Sequence, residues 1–485
     1  MRYFGVGGRM SEPPAVAHAC ALDPHLPTDL LEDLRATEYG YLDTDGHLYL
    51  DYTGAGLPAD AQLRAHADRM RGACFGNPHT ESPTSRASTE LVEQTRAAVL
   101  AFFNASPQEY AVIFTANATG ACRLVGEAYP FHRGSRLVLT LDNHNSVNGI
   151  REFARARRAA VEYVPVEPAE LRADEARLRT ALARRRRGRG LFVYPAQSNF
   201  TGVQHPLDWI ELAHEHGYDV LLDAAAYVPS NRLDLSQVHP DFVPVSWYKV
   251  FGYPTGVGCL IARREALSRL TRPWFAGGTI VAASALGDWH VMAADESAFE
   301  DGTLNFLAIP DVRTGLSWID GIGIDVVHQH VTGLTARLLG ALGQLRHSDH
   351  TPMIRLYGPG HTDRRGGTVT FNVLDARGAL IDERVIARDT AARRISIRTG
   401  CFCNPGAGES ALAIAHRTLT GRARAAARTL DDYLGLLGLP TGGAVRASLG
   451  VASNGTDVER FTAFIEETYR DCVADTAGLA PRERC

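Results

Sequence analysis

The sequence predicts an α/β fold, with a large domain on a mostly parallel sheet flanked by helices and a smaller C-terminal α/β domain. Three observations predict it. From about residue 90, short apolar runs rich in β-branched residues alternate with stretches that are amphipathic at helical spacing. Such alternation favours parallel strands with helical crossovers. Second, the strand-like runs end in polar residues: Thr115–Thr119, His144, Gln197–Asn199, Asp223 and Ser246–Lys249. Ligands of open α/β sheets bind at the carboxyl ends of strands. Third, the character changes after about residue 335, where a helix is followed by widely spaced strands and a closing helix.

Taken in order, "STELVEQTRAAVLAFF" reads as a helix and "YAVIFTAN" as a strand ending at a polar turn. "ATGACRLVGEAY" returns to helix, "RLVLTLDN" to strand and "VNGIREFARARR" to helix. "AVEYVPV", "GLFVYPAQSN", "LDWIELAHEHG", "YDVLLDAAA", "DFVPVSWYKV" and "GVGCLIAR" carry the pattern onward. In the last part, "LTARLLGALGQLR" is a helix, "GGTVTFNVL" and "GAVRASLG" are strands, and "RRISIRTGCFC" is a strand with a turn. "TDVERFTAFIEETY" closes with a helix. The expected organisation is an N-terminal arm (1–40), a large domain (41–330, its first residues packing on the small domain), a small domain (331–475) and a tail (476–485).

Of 485 residues, 45% are apolar and 22% charged, with a net charge of −5. These values suit a globular protein and give no basic footprint for nucleic acid. The run "RRRRGRG" at 184–190 follows a helical pattern and reads as a solvated helix end. No apolar stretch is long enough for a membrane span, and the N-terminus lacks a signal-peptide core, so a cytoplasmic location is expected. Met10 is a second candidate start. The eight cysteines are scattered and suggest no disulfide framework.

Lys249 is the only lysine in the chain. A surface lysine exchanges readily with arginine, but an amine that must lose its proton and react covalently does not. If Lys249 holds an aldehyde cofactor such as pyridoxal 5′-phosphate, three further groups are needed: a carboxylate at the ring nitrogen, a phosphate cup and a stacking partner. Asp223 ends a strand and supplies the carboxylate; taken alone it reads more readily as a helix cap or turn aspartate. "TANATG" (115–120) places small and hydroxyl residues where a strand turns into a helix, whose free N–H groups suit phosphate. His144 is a candidate stacking residue.

The stretches "YLDYTGAGL", "GNPHTESPTS", "VIFTANATGACRLVGEAYPF", "YPAQSNFTGVQHPLDWI", "LLDAAAYVPSNRLDLS", "DFVPVSWYKVFGYPTGVGCLIAR", "FEDGTLNFLAI", "RTGCFCNPGAGE" and "PTGGAVRASLGVAS" occur in this order over residues 40–470. The chain they form resembles fold-type I pyridoxal-phosphate enzymes of the class V aminotransferase group, and within it the cysteine-desulfurase-like domain of molybdenum-cofactor sulfurases. The resemblance implies a Schiff base at Lys249, Asp223 at the pyridinium nitrogen, His144 on the ring face and Asn199 at the ring hydroxyl. It also implies that Ala118, Thr119 and Ser246 hold the phosphate, Thr303 reaches the phosphate of a second subunit in a homodimer, and Arg398 clamps the substrate carboxylate. Two positions depart from the wider desulfurase pattern: Tyr248 stands where a histidine often precedes the lysine, and Ala226 where a glutamine often follows the aspartate.

"RTGCFCNPG" bears on the reaction. By its place in the motif, Cys403 matches the nucleophile of a cysteine desulfurase; an ordinary turn or half a metal site are the competing readings, and no companion Cys/His pair follows. The expected activity is removal of sulfur from L-cysteine as a Cys403 persulfide, with release of L-alanine and transfer to the molybdenum cofactor or another acceptor. Cys401 would relay the sulfur or pair with it. The alternatives are another reaction of the same cofactor (C–S lyase, aminotransferase or decarboxylase) and a non-catalytic scaffold.

Overall fold

The computed structural model describes residues 26–78, 80–414, 429–437, 441–473, 475–476 and 478–482. Its strands are β1 (Leu48–Tyr49), β2 (Tyr110–Thr115), β3 (Arg136–Thr140), β4 (Ala160–Val164), β5 (Gly190–Pro195), β6 (Tyr218–Asp223), β7 (Phe242–Ser246) and β8 (Gly258–Arg263). They continue with β9 (Ile280–Ser284), β10 (Trp289–Met292), β11 (Ile354–Tyr357), β12 (Thr368–Val373), β13 (Ile395–Ser396), β14 (Arg398–Gly400) and β15 (Ala444–Ser448).

Seven of these form one sheet in the order β2-β8-β7-β6-β5-β3-β4. Only β8 runs against its neighbours, pairing antiparallel with both β2 and β7. The strands read as continuous apolar runs because both faces are covered. Odd and even positions of a strand face opposite ways. Val112, Val138, Phe192, Val220 and Ile261 enter one core, while Ala111, Leu137, Leu191, Leu221 and Leu260 enter the other. Each fully buried valine, leucine, isoleucine or phenylalanine among them contributes roughly 1.5–3 kcal/mol.

A second sheet, β11-β12-β15-β14, is antiparallel throughout. It packs with the helices Ile324–Gln344 and Gly455–Tyr469 through a separate core that includes Val331, Leu338, Phe371, Val445, Phe461 and Ile465. The N-terminal segment joins this second body. Residues 26–38 form a helix, and Leu31, Leu48 and Leu50 belong to its core. β1 pairs with β13 in parallel.

Two stretches differ from the sequence expectation. The helix before the arginine run spans only Glu175–Leu182, so the arginines lie beyond its end. Three make contacts within the chain: Arg184 pairs with Glu162, Arg186 lies over the Tyr218 ring and Arg189 pairs with Asp219. A hairpin, β9-β10, occupies 280–292, where the sequence showed no element. No helix among the described residues is long and apolar enough to cross a membrane.

Candidate active site

The carboxyl ends of β2, β5, β6 and β7 and the start of β8 meet at one edge of the large sheet, where Ser246 and Thr115 both pair with Gly258 and Pro195 pairs with Asp223. A cavity of about 330 Å³ opens there. Ala118, Thr119, His144, Asn199, Asp223, Ser246 and Lys249 all line it. Local sequence explains why. Each stands at a strand's end, in the turn that follows it or in the first turn of the next helix.

Lys249 sits in the short helix Trp247–Phe251, which Ser246 opens directly from β7. Gly252 ends that helix with φ 77°, and a Cβ there would lie 2.2 Å from the backbone nitrogen of Pro58, so only glycine admits the 53–58 segment against it. Burial pushes the Lys249 amine down; Asp223 opposes this and Arg446 and Arg398 reinforce it. The Asp223 carboxylate is held by the Ala225 N–H at 3.0 Å.

The helix Ala118–Ala128 starts at this edge with Asn117 as its cap, accepting from the Gly120 N–H. Ser246 Oγ accepts from the Ala118 N–H at 2.8 Å, and Thr119 Oγ1 shares a 2.6 Å hydrogen bond with Ser146 Oγ. Three hydroxyls thus gather at a helix N-terminus, an arrangement suited to phosphate.

His144 Nδ1 accepts from the Ser146 N–H at 3.1 Å. That donor is obligatory, so neutral His144 carries its proton on Nε2. Burial, followed by the Lys249 charge, lowers its pKa from 6.5 to about 4, against the pull of Asp223. At neutral pH the ring is uncharged and able to stack. Pyridoxal phosphate requires an amine, a carboxylate, an anion cradle and a flat partner, and the residues of this cavity meet all four demands.

Arg398, Cys403 and Thr303 do not line this cavity. Arg398 gives Nε and Nη2 to Asp51, at 3.0 and 2.5 Å from Oδ2. Asp51 also accepts from Arg446 Nη2 at 2.9 Å, and Arg446 Nη1 donates to the Asn199 carbonyl. Thr303 lines a neighbouring cavity of about 390 Å³, which shares Ala116 and Gly256 with the first. Cys403 is exposed, yet its backbone is tied to the cavity wall: its carbonyl accepts from the Asn145 N–H at 2.7 Å. The carbonyl of Phe402 accepts from Asn199 Nδ2 at 2.8 Å, so part of the Asn199 amide serves this loop.

Cys403 is a free thiol, and Cys401 stands two residues before it, directly after β14. The expected departures, Tyr248 and Ala226, both line the cavity. So does Cys122, whose thiol burial and then Asp223 push well above its usual range; it is a protonated wall residue. Among the described residues there is no cluster of three metal-ligating side chains.

Sequence reasoning missed Arg446, Asp51 and Asn404. Arg446 alone had a usable signal: it is the one charge in the otherwise small and apolar strand "AVRAS".

Comparison with known proteins fits this geometry. The molybdenum cofactor sulfurase of Solanum lycopersicum is 34% identical over 93% of this chain and 59% of its own length. That of Homo sapiens is 36% identical over 90% of this chain and 51% of its own. The chain therefore spans between half and three-fifths of these relatives. Among solved structures, the apo cysteine desulfurase of Thermococcus onnurineus superposes with a TM-score of 0.74 at 24% identity, over 90% of this chain and 98% of that one, and so shares the fold. Residues 48–461 match the family described as aminotransferase class-V. Since that match runs from β1 through every strand that builds the Lys249 cavity, the chain belongs to the aminotransferase class-V family.

Proposed function

We propose that the protein is a pyridoxal-phosphate-dependent cysteine desulfurase that takes sulfur from L-cysteine onto Cys403 and releases L-alanine. One observation carries the reading. The chain's only lysine shares a cavity with Asp223 and His144, and the Cys403 loop is bonded to the wall of that cavity through Asn199 and Asn145. The similarity to molybdenum cofactor sulfurases over nine-tenths of the chain supports it.

Lys249 would bind the cofactor covalently, Asp223 would face its ring nitrogen, and Ala118, Thr119 and Ser246 would hold its phosphate. Bound there, the cofactor supplies an electron sink that stabilises negative charge at the substrate's α-carbon and loosens its carbon–sulfur bond. The freed Lys249 amine takes the α-proton, because burial keeps it from holding a proton as tightly as a solvated lysine does. Neutral His144 would face the cofactor, with its Nε2–H available as a donor. Arg398, half exposed, would clamp the substrate carboxylate, with Asp51 and the buried Arg446 fixing its place. Cys403 Sγ then attacks the substrate sulfur. A sulfur–sulfur bond forms, the carbon–sulfur bond breaks with its electron pair passing to carbon, that carbon takes up a proton and the α-carbon regains its own, and the three-carbon product leaves as alanine.

The acceptor we propose is the molybdenum cofactor. We also infer a homodimer in which Thr303 completes the second subunit's phosphate site. The apolar hairpin that follows Gly277, whose carbonyl accepts from the Gly302 N–H next to Thr303, supports this: Val281, Trp289 and Val291 are all more than half exposed.

The test is peptide mass mapping after incubation with L-cysteine without reductant, together with an alanine assay. One added sulfur on the Cys403 peptide, with matching alanine, is expected. A cofactor-loaded protein that yields neither overturns the reading.

A further inference from the structure

The loop that carries Cys403 is strained and over-determined. Phe402 and Cys403 both have left-handed backbones, with φ of 55° and 53°, although neither is glycine. Each such residue costs on the order of 1–3 kcal/mol and persists only where its surroundings hold it. The holding contacts converge on one side chain that the proposed chemistry leaves unused. Asn404 is fully buried. Its Nδ2 donates to the Asp142 carbonyl at 2.7 Å and to Asn199 Oδ1 at 2.9 Å. Its Oδ1 accepts from the Ala407 N–H at 3.2 Å, capping the short helix Pro405–Ala411.

The orientation of the network follows from its backbone members. The Asp142 carbonyl can only accept and the Ala407 N–H can only donate, which fixes the Asn404 amide. Asn404 must then present a hydrogen to Asn199 Oδ1. That turns Asn199 Nδ2 toward the Phe402 carbonyl, its 2.8 Å partner. Asn404 thus sets the turn that follows β3, the rotamer of a cavity residue and the two peptides that place Cys403.

We propose that Asn404 is the positioning residue for the Cys403 nucleophile. It acts by locking the left-handed Phe402–Cys403 turn to Asn199, so that Sγ is presented to the cavity without a search. The inference rests on Cys403 being the sulfur acceptor. Its expected signature is loss of sulfur transfer with amino-acid binding retained, whereas a merely structural role would weaken both together.

The variants are Asn404→Asp and Asn404→Ser, each in the full cofactor-loaded chain. Aspartate is nearly isosteric but sets an acceptor against the Asp142 carbonyl and Asn199 Oδ1. Serine can still cap Ala407 but cannot span both other partners, and it serves if the aspartate variant does not fold. Glycine binding is followed by cofactor absorbance, persulfide formation by mass analysis of the Cys403 peptide, and loop order by hydrogen exchange over residues 398–411 in cofactor-free protein. Because a misplacement of about 1 Å can cost on the order of a hundredfold in rate, the persulfide rate is expected to fall by about that factor. The glycine dissociation constant should stay within about threefold, ~0.65 kcal/mol, and exchange in the loop should quicken. Unchanged persulfide formation in a folded variant, or equal loss of binding and transfer, overturns the proposal. If wild-type protein puts no sulfur on Cys403, the proposed function fails first and takes this inference with it.

Discussion

Asp51 and Arg446 form an ion pair, Oδ1 to Nη2 at 2.9 Å, in which the guanidinium is buried and its Nε has no hydrogen-bond partner among the described residues. Burial lowers the Arg446 pKa to about 10 while Asp51 holds it up, so the side chain stays charged at neutral pH. Removing one partner of such a pair strands the other charge in the interior, which costs about 3–5 kcal/mol. Asp51→Ala should destabilise cofactor-free protein by that amount in urea unfolding. The double variant Asp51→Ala/Arg446→Met should recover most of it. An unchanged midpoint in the single variant would show that Arg446 is solvated or otherwise paired.

His144 should make stability depend on pH. Its pKa is lowered to about 4 in the folded chain, against 6.5 ordinarily, with burial the largest cause. Between those values the unfolded chain binds a proton that the folded chain refuses. The contribution is therefore complete above pH 6.5 and is lost as pH falls toward 4. Between pH 7 and 5, wild type should lose about 2 kcal/mol more than His144→Asn. Equal losses in the two proteins, measured by urea unfolding without cofactor, would place a solvated histidine at this position.

Residues legible in the sequence and those that were not divide on a physical line. Lys249, Asp223, His144, Asn199, Ala118, Thr119 and Ser246 each end a strand or begin the next helix, so local periodicity placed them at one sheet edge. Asp51, Arg446 and Asn404 act through partners far along the chain: Asp51 bonds Arg446 across 395 residues and Arg398 across 347, and Asn404 bonds Asp142 across 262. No local pattern encodes such pairs. The reversed direction of β8 was equally hidden, since an apolar run reads the same both ways. The hairpin β9-β10 escaped because its exposed apolar residues mimic neither a half-buried strand nor a loop.

That hairpin supplies a prediction about assembly. Two-stranded hairpins are marginal alone in water. This one leaves Trp289 and Val291 exposed on one face and Val281 on the other. Apolar exposure of Trp289 and Val291 on one face marks an interface. Replacing Trp289 and Val291 together with serine should shift the protein from dimer to monomer in sedimentation, with little change in the unfolding midpoint of the monomer. A wild-type monomer at micromolar concentration would remove the dimer and with it the proposed role of Thr303.

Lys249 allows the sharpest chemical test, because no other side chain offers a primary amine. Borohydride reduction of cofactor-loaded protein should fix the label on the peptide that contains Lys249. Arginine at this position keeps the positive charge and much of the length but cannot form the covalent link, since a guanidinium stays protonated in proteins. Lys249→Arg should therefore show no borohydride-stable label and no cofactor absorbance that responds to L-cysteine. Lys249→Ala should still bind the cofactor weakly, through the hydroxyls at the Ala118–Ala128 helix and the Asp223 carboxylate. Labelling that persists in Lys249→Arg would move the covalent site off this cavity, and the reading of Asp223 and His144 as cofactor ligands would go with it.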